Sequence, residues 1–294
     1  MLSVYTEAQL TTEQLSPHRI RLGVIGNPIA HSKSPQMQQA ALDTAGIDCR
    51  YIRILAETAP QGFANVLNKL VEAKFIGANV TVPFKKQAFA IATQADALSS
   101  LCGAANTLVR KGNEWHCHNT DGPGFERAIL ELSGKQLREL NILILGACGG
   151  AGSALAAQCA LAGCSKLTLV NRPRPELQQM QAKLAPVSQG ELRTAHFDAP
   201  ELPQLLEEAQ LIVNATSLGL AEGDPMPIPT ELLHSGQLVY DIVTHDTPLR
   251  RCAEAQGCLT DNGLAMLLWQ GAYAFEHWFG SMPDVAAMRA GLLS

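Results

Sequence analysis

The chain has 294 residues, of which 47% are apolar and 17% are charged, a composition typical of a globular protein with one large or two medium domains. Its net charge of −5 argues against a nucleic-acid-binding surface. Glycine, glutamine or charged residues interrupt its apolar runs before they reach membrane-spanning length. The first residues lack the basic start and apolar core of a signal peptide. Eight cysteines without a CxxC pair predict reduced thiols in a cytoplasmic protein.

Strand and helix patterns alternate through the first half of the chain. Residues 1–20 are expected to form a loosely held N-terminal extension. After them, the spacing of apolar residues predicts strands at Ile20–Ile25, Tyr51–Leu55 and Phe75–Val82 and helices at Ser34–Ala45 and Pro60–Ala73. This βαβ order predicts an α/β domain with a largely parallel sheet covered by helices.

The sequence GANVTVPFKK, residues 77–86, places polar side chains around a turn at the end of a predicted strand. They are Asn79, Thr81 and Lys85. Pro83 lacks a backbone donor and resists continuation of the strand, so the chain must turn there. A lone lysine after a strand is usually a solvated surface residue. Two further polar clusters follow, GAANT at 103–107 and HNTDG at 118–122, and together they favour one ligand site at the strand ends.

The run His116-Cys117-His118 does not predict a metal site. Adjacent residues of a strand point to opposite faces, so these three side chains cannot converge on one ion. No metal is therefore expected.

A second alternating unit starts at Asn141, after a predicted connecting helix at Gly122–Leu132. Its predicted elements are strands at 141–146, 166–172, 211–214 and 238–243, a helix at Ser153–Ala162 and a closing helix at Leu264–Phe279. A strand, a glycine-rich turn, a helix and a second strand within about 30 residues form a dinucleotide-binding unit. The turn GACGGAG, Gly146–Gly152, departs from strict GxGxxG. We prefer the register Ala147, Gly149 and Gly152, because its second glycine would face the phosphate.

The end of the second strand of this unit predicts the cofactor. NAD sites usually have an acidic residue here that binds the ribose 2′-hydroxyl, whereas arginine suits a 2′-phosphate. This chain has neutral Asn171 followed by Arg172 and Arg174. NADP is therefore predicted, with NAD as the alternative cofactor, although exposed arginines are also common on surfaces. The segment NATSLGL, Asn214–Leu220, suits the nicotinamide side of such a site.

These segments, in this order, resemble the shikimate dehydrogenase family. The similarity runs from about Arg21 to Gly280 and rests on IGNPIAHSKSP, GANVTVPFKK, GAANTL, NTDGPG, the glycine turn, NATSLG and GLAMLLWQGAYAFEHWFG. It implies reduction of 3-dehydroshikimate with NADPH. It also implies a βαβ substrate domain at 21–121 and 261–294, whose last helices return to it, and a Rossmann-type doubly wound dinucleotide domain at 122–260.

The resemblance also implies residue roles, carried over by position. The catalytic pair is Lys85 and Asp121. The substrate-binding residues are Ser32, Ser34, Asn79, Thr81, Asn106, Gln270 and Thr244. The cofactor-binding residues are Gly146, Gly149, Gly150, Gly152, Asn171, Arg172, Arg174, Thr216, Ser217, Leu220, Val243 and Gly263. Short polar side chains in this number suit a small polyhydroxylated acid, although each one singly could equally bond its own turn.

The chain also departs from the family pattern at several positions. They are Gln38-Gln39 in place of His-Asn, Leu220 in place of Met, Pro173 in place of Thr, Glu176 in place of a basic residue, and Thr244 in place of a tyrosine that reaches the substrate. The smaller Thr244 leaves space for the extra hydroxyl of quinate, so quinate is the rival substrate, and an amino analogue of shikimate is a further one. A non-catalytic nucleotide-responsive regulator is the alternative of another class, which intact Lys85 and Asp121 disfavour. The implied partner is a small-molecule substrate, with no nucleic acid or membrane, and the chain is expected to be a monomer or homodimer.

Overall fold

Two sheets organise the chain, each within its own unit. The computed structural model describes residues 4–294. The first unit runs to Thr120 and resumes over Leu268–Ser294, and the second comprises Asp121–Leu267. The second boundary therefore lies inside the closing helix, whereas the sequence places it at residue 261.

Within residues 4–294 the strands are β1 (Val4–Thr6), β2 (Ile20–Gly26), β3 (Arg50–Leu55), β4 (Gly77–Val80), β5 (Gln94–Ala95), β6 (Thr107–Lys111), β7 (Glu114–His118), β8 (Asn141–Leu145), β9 (Lys166–Asn171), β10 (Glu191–His196), β11 (Leu211–Asn214), β12 (Leu238–Asp241) and β13 (Leu259–Asn262). The α-helices of the same residues are α1 (Thr12–Leu15), α2 (Ser34–Thr44), α3 (Gly62–Glu72), α4 (Lys85–Ile91), α5 (Ala97–Cys102), α6 (Asp121–Ser133), α7 (Gly152–Leu161), α8 (Pro175–Leu184), α9 (Leu202–Glu208), α10 (Pro248–Ala255), α11 (Leu264–Phe279) and α12 (Val285–Leu293).

The first sheet has the strand order β1-β3-β2-β4-β6-β7-β5. Strands β1 to β4 pair in parallel, as their βαβ order predicts, but β6 is antiparallel to both β4 and β7. This hairpin, which the sequence did not predict, aligns Asn79 with Thr107 and Thr107 with His118. The three polar clusters therefore meet in one row across three neighbouring strands.

Residues 4–20 are more ordered than the predicted loose extension. They contain β1, which pairs with β3, and α1. Leu10 and Leu15 are 1% and 0% exposed and belong to the core of the first sheet, with Phe63 and Phe75 among others. Their burial stabilises the segment against the sheet, because about 25 cal/mol is gained per Å² of apolar surface removed from water. The predicted extension also includes residues 1–3, which lie outside the described residues.

The C-terminal helices return to the first unit, as expected. Trp278 on α11 donates a hydrogen bond from Nε1 to the carbonyl of Leu108, at 3.0 Å. A side chain at Gly77 would overlap this indole, so the glycine at the start of β4 lets α11 lie directly on the sheet. Gly271 similarly lets α11 approach Met37 of α2.

The second sheet is parallel throughout residues 141–262, in the order β10-β9-β8-β11-β12-β13. In order of appearance this is 3-2-1-4-5-6, the doubly wound Rossmann order. The sheet reverses its direction of growth between β8 and β11, and ligands of such sheets bind beyond the carboxyl ends of the strands at this point. The predicted α/β fold class is confirmed.

Candidate active site

A buried side-chain network begins at Asn79 in β4. Its Oδ1 accepts a hydrogen bond from the hydroxyl of Tyr51, at 2.8 Å. Its Nδ2 donates to the carbonyl of Asn106 and to Oγ1 of Thr107, each at 3.2 Å. Because the carbonyl of Asn106 can only accept, Nδ2 must face it, and Oδ1 is left to accept from the Tyr51 hydroxyl. Burial raises the pKa of Tyr51 well above its usual value, so this hydroxyl remains a donor.

Asn106 extends the network to the helix α11. Its Oδ1 accepts from the backbone N–H of Thr120 at 2.7 Å. Its Nδ2 donates to Oγ1 of Thr120 at 3.0 Å and to Oε1 of Gln270 at 3.2 Å. Asn79, Asn106 and Gln270 are all buried, and the structure thus brings these predicted substrate residues together.

Lys85 is the first residue of α4, directly after the predicted turn. The backbone N–H of Phe84 closes that turn by donating to the carbonyl of Thr81 at 2.9 Å. The Phe84 ring stacks on Phe63 with centroids 5.1 Å apart, which fixes the start of the helix. The carbonyl of Lys85 accepts from the N–H of Ala105 at 2.9 Å. The lysine backbone is therefore tied to the GAANT loop, and its side chain is half-buried.

Asp121 is the first residue of α6 and lies at the boundary of the two units. It is 5% exposed, and the two residues before it, Asn119 and Thr120, are buried as well. Asn119 donates from Nδ2 to the carbonyl of Ala104 at 3.0 Å, so Asp121 follows a segment that the first unit holds firmly.

Asp96 binds the segment that precedes Asp121. Its carboxylate accepts from the N–H groups of Ser99, at 2.6 Å, and Asn119, at 3.1 Å, and lies 3.6 Å from Nδ1 of His118. Burial would raise the pKa of Asp96, but the hydrogen bonds from His118, Ser99 and Asn119 outweigh it and lower the pKa. The His118 ring stacks on His277 of α11 at 3.9 Å.

Ser32 and Ser34 lie together at the beginning of α2. Oγ of Ser32 accepts from the backbone N–H of Ser34 at 3.3 Å, and Ser34, the first helical residue, is 6% exposed. Hydroxyl groups at the start of a helix suit an anionic ligand, because the helix dipole favours negative charge there. Thr81 is half-buried after β4, and Thr244 is exposed in the second unit.

The predicted strand–turn–helix of the nucleotide unit is confirmed over β8, Gly146–Gly152 and α7. Gly146 has φ +77, and a Cβ there would lie 3.0 Å from the carbonyl oxygen of Ala215, which follows β11. A Cβ at Gly152 would overlap the carbonyl of Gly146. The turn therefore requires glycine at Gly146 and Gly152, and the register that starts at Ala147 stays a prediction.

The backbone of this turn fits a pyrophosphate. Space is open beside Gly149: outside the turn, the nearest atom to a Cβ there would be the carbonyl oxygen of Ala215, at 3.8 Å. Gly150 lies two residues before α7 begins. Exposed backbone N–H groups at a helix N-terminus bind phosphate. Asn171 ends β9, beside β8 in the sheet, and is followed by exposed Arg172 and Arg174. Glycine, helix terminus and arginines together fit NADP.

The NATSLG loop is held by its own side chains. Oδ1 of Asn214 accepts from the N–H and the hydroxyl of Thr216, at 3.1 and 2.6 Å. The hydroxyl of Thr216 in turn accepts from the N–H of Leu218 at 3.1 Å. Thr216 thus shapes the turn, while Ser217 and Leu220 are exposed.

Asp241, which the sequence patterns did not assign to the site, joins this loop to the next one. Its carboxylate accepts from Nδ2 of Asn214 at 3.1 Å, from the N–H of Val243 at 3.1 Å and from Oγ1 of Thr247 at 2.8 Å. Burial raises the pKa of Asp241, against the lowering effect of these donors. The N–H of Gly263 donates to the carbonyl of Val243 at 3.0 Å.

Several residues that bond in these networks received no role from the sequence. Thr107, Asn119 and Thr120 lie inside the motifs GAANT and HNTDG, so their neighbourhood was recognised without their roles. Tyr51 and Asp241 lie in apolar strand patterns, where only the structure shows their partners.

Two further features concern residues 4–294, metal clusters and membrane-spanning helices. No group of three or more His, Cys, Asp or Glu in this range could hold a metal ion. The eight cysteines are free thiols. Over the same residues no helix is long and apolar enough to cross a membrane.

Comparison with known proteins identifies relatives along nearly the whole chain. Residues 24–108 match the shikimate dehydrogenase substrate binding domain, and residues 263–293 match the shikimate 5′-dehydrogenase C-terminal domain. The chain is 35% identical to the NADP(+) shikimate dehydrogenase of Paracoccus denitrificans, over 91% of this chain and 93% of that one. It is 38% identical to that of Roseobacter denitrificans, over 92% and 96%.

Solved structures agree with these matches. Shikimate dehydrogenase from Aquifex aeolicus gives a TM-score of 0.85 at 30% identity, covering 95% of this chain and 99% of that one. The Thermus thermophilus shikimate 5-dehydrogenase in complex with NADP(H) and shikimate gives 0.80 at 32% identity, covering 93% and 98%. Quinate dehydrogenase from Corynebacterium glutamicum in complex with NAD gives 0.81 at 25% identity, also covering 93% and 98%.

Proposed function

The chain belongs to the shikimate dehydrogenase family, and from this premise we propose that it catalyses the reversible, NADP-dependent reduction of 3-dehydroshikimate to shikimate. The observation that carries the proposal is the buried row of Asn79, Asn106 and Gln270, joined by hydrogen bonds at the end of the first sheet. Preorganised amide and hydroxyl groups of this kind suit the ring hydroxyls of a small polyhydroxylated acid.

The proposed chemistry assigns separate roles to the residues of the chain. Reduction of a ketone requires hydride on the carbon and a proton on the oxygen, and bound NADPH supplies the hydride. Lys85 donates the proton to the carbonyl oxygen, and its ammonium group stabilises the negative charge that develops there. Asp121 orients the lysine and relays the proton. Ser32 and Ser34 bind the substrate carboxylate, and Thr81 binds a ring hydroxyl.

The nucleotide unit is proposed to bind NADP through its main chain and two arginines. The backbone of Gly146–Gly152 binds the pyrophosphate at the start of α7. Arg172 and Arg174 bind the 2′-phosphate, with Asn171 beside the ribose. Ser217, Leu220, Val243 and Gly263 lie on the nicotinamide side. NAD is the alternative cofactor, because the exposed Glu176 stands close in sequence to the arginines.

A paralogue that prefers quinate is the second candidate. It is favoured by Thr244, which is exposed and smaller than the tyrosine that the family pattern has there. A smaller side chain at that position leaves space for the tertiary hydroxyl of quinate. The similarity to a quinate dehydrogenase is consistent with either substrate.

Initial rates of NADP and NAD reduction with shikimate and with quinate, measured in parallel, test the proposal. We expect a kcat/KM for shikimate with NADP at least about tenfold above the other three combinations, which corresponds to about 1.4 kcal/mol of transition-state discrimination. Equal or faster turnover of quinate would favour the second candidate. Turnover of neither acid would contradict both.

We also propose that the protein acts in the cytoplasm as a monomer or homodimer. One copy of the chain carries every residue to which we assign a role, which is compatible with a monomer as well as with a homodimer. The eight free thiols fit a reducing compartment.

A further inference from the structure

Arg53 lies under the loop that precedes α2. It is in the middle of β3 and only 5% exposed. Its Nε donates to the carbonyl of Ser32 at 3.0 Å, and its Nη2 donates to the same carbonyl. Nη2 also donates to Oε1 of Gln36 at 3.1 Å. One guanidinium group therefore binds both Ser32, two residues before the first helical residue, and a side chain of the first turn of α2.

These contacts hold the backbone that carries the two serines. Arg53 binds the Ser32 carbonyl, and Oγ of Ser32 accepts from the backbone N–H of Ser34, so the guanidinium and the start of α2 are both bonded to Ser32. The planar fork of arginine can hold a carbonyl from two nitrogen atoms, whereas lysine has only a point charge. A neutral residue at this position would leave the Ser32 carbonyl without these donors.

Arg53 also places a positive charge behind the loop. Moving a guanidinium out of water is unfavourable, and burial accordingly lowers the pKa of Arg53. A carboxylate bound at the two serines would interact with this charge through protein rather than through bulk water, where the attraction is weaker. The start of α2 adds to the same field, since a helix N-terminus favours anions.

We propose that Arg53 is a positioning residue that makes the site selective for an anionic substrate, by holding the Ser32 loop and by placing positive charge behind it. The inference rests on the proposed function, because it assumes that Ser32 and Ser34 bind the substrate carboxylate. It concerns a residue of β3 to which neither the family pattern nor the sequence motifs assigned a role.

The test uses Arg53→Met and Arg53→Lys in the full chain, with shikimate and its uncharged methyl ester as substrates. We expect Arg53→Met to raise the KM for shikimate about tenfold, the size of one hydrogen bond to a charged group, and to leave kcat within about twofold. The KM for the ester should change by less than about twofold in the same variant. Arg53→Lys keeps the charge and loses the fork, so its KM for shikimate should lie between those of Arg53→Met and the unmodified protein.

Arg110→Met is the matched control. Arg110 is another arginine of the first sheet, half-buried where Arg53 is buried, and it donates to the main-chain carbonyls of Phe75 and Gly112. Its strand, β6, is separated from β3 by β2 and β4. The Arg110→Met variant should have a lower midpoint temperature of thermal unfolding, with an unchanged KM for either substrate. An unchanged shikimate KM in Arg53→Met, or equal KM increases for acid and ester, would overturn the inference.

The proposed function and the inference fail in different ways. If the unmodified protein does not oxidise shikimate, the proposed function is wrong. If it does, and the Arg53 variants behave like the Arg110 control, only the inference is wrong. If Arg53→Met does not fold, as judged by circular dichroism, Arg53→Lys decides the question. A ratio of acid KM to ester KM above that of the unmodified protein would support the inference, and an unchanged ratio would overturn it.

Discussion

The residues proposed to bind the substrate and those proposed to bind the nucleotide are held in place in different ways. In the first unit, hydrogen bonds between side chains hold the site: the Tyr51 hydroxyl donates to Asn79, and Asn106 donates to Gln270. In the second unit the proposed pyrophosphate site is main chain, because four of the seven residues of Gly146–Gly152 are glycines, while the bond from the Thr216 hydroxyl to Asn214 holds the neighbouring loop. The contrast teaches that a small polyhydroxylated ligand needs many fixed polar groups, whereas a pyrophosphate needs only a backbone that it can approach.

Lys85→Ala should have the largest effect, and it tests whether the first unit catalyses or only binds. Loss of a group that donates the proton should lower kcat about a thousandfold, within the range for general acid catalysis. The affinity for NADP, measured by fluorescence titration, should stay within about twofold, because the proposed nucleotide groups are elsewhere. Lys86→Ala, at the exposed neighbouring position, is the control and should retain activity.

A Lys85→Ala protein that retains most of its turnover would remove Lys85 from the catalytic pair. A chain that binds NADP normally but has no dehydrogenase activity even before mutation would instead support the regulatory alternative.

Gly146→Ala sharpens the comparison from the nucleotide side. Alanine at φ +77 costs about 1–2 kcal/mol, and its Cβ would also press on Thr216 Cγ2 at 2.9 Å. The turn must shift, so we expect the KM for NADP to rise about tenfold or more, with a smaller change in the KM for shikimate. Steady-state kinetics with each substrate varied in turn measures both.

Gly112→Ala is the control for Gly146→Ala. Gly112 has φ +64 and nothing within 4 Å of a Cβ, so it carries similar backbone strain without a contact. If both variants change the KM for NADP equally, the effect comes from stability and not from the geometry of the turn.

Tyr51→Phe tests whether the orientation of Asn79 matters. Removing the hydroxyl leaves the buried Oδ1 of Asn79 without its donor, which should destabilise the protein by about 1–3 kcal/mol. The freed amide can then rotate, so we expect the KM for shikimate to rise about threefold with the KM for NADP unchanged.

Tyr240→Phe in the second unit provides the comparison. The Tyr240 hydroxyl is also buried and accepts from the N–H of Met266, a residue of its own unit, at 3.2 Å. Both variants should lower the denaturation midpoint, but only Tyr51→Phe should change the KM for shikimate. A shikimate KM that responds equally to both would contradict the role of Tyr51.

Asp241→Asn should have the smallest effect. It should change how the free energy of unfolding depends on pH. Burial raises the pKa of Asp241 above its usual value of 3.8. The folded state therefore binds the proton more tightly than the unfolded state, and this contribution to stability, complete below that value, is lost as pH rises through the folded pKa. Asp241→Asn has no carboxyl group at this position and does not lose this contribution. Its free energy of unfolding relative to that of the unmodified protein should therefore increase as pH rises above 3.8.

Thermal or urea denaturation across acidic and neutral pH measures this difference. Asp43→Asn, at an exposed carboxylate, is the control. A stability difference between Asp241→Asn and the unmodified protein that is constant with pH would show that Asp241 keeps the same proton affinity in both states.

Local patterns predicted the elements that carry the site, but not the contacts that hold it. Pro83 and the apolar run before it were sufficient to predict the strand and the turn that precede Lys85. The bond from Asn106 to Gln270 joins residues 164 positions apart, a separation that periodicity cannot detect. The antiparallel β6–β7 hairpin was missed because a βαβ rhythm predicts parallel neighbours, and Asp241 because its buried strand reads as apolar.

The strand β1 has a consequence for association between copies of the chain. Edge strands expose unpaired backbone groups and can pair with other molecules, and proteins limit this risk by keeping such strands short. In the first sheet the outermost strands are β1, of three residues, and β5, of two. Without residues 4–15, the six-residue β3 would become the edge, and the core would lose Leu10 and Leu15. We therefore expect a chain that lacks residues 4–15 to aggregate more readily through the first sheet.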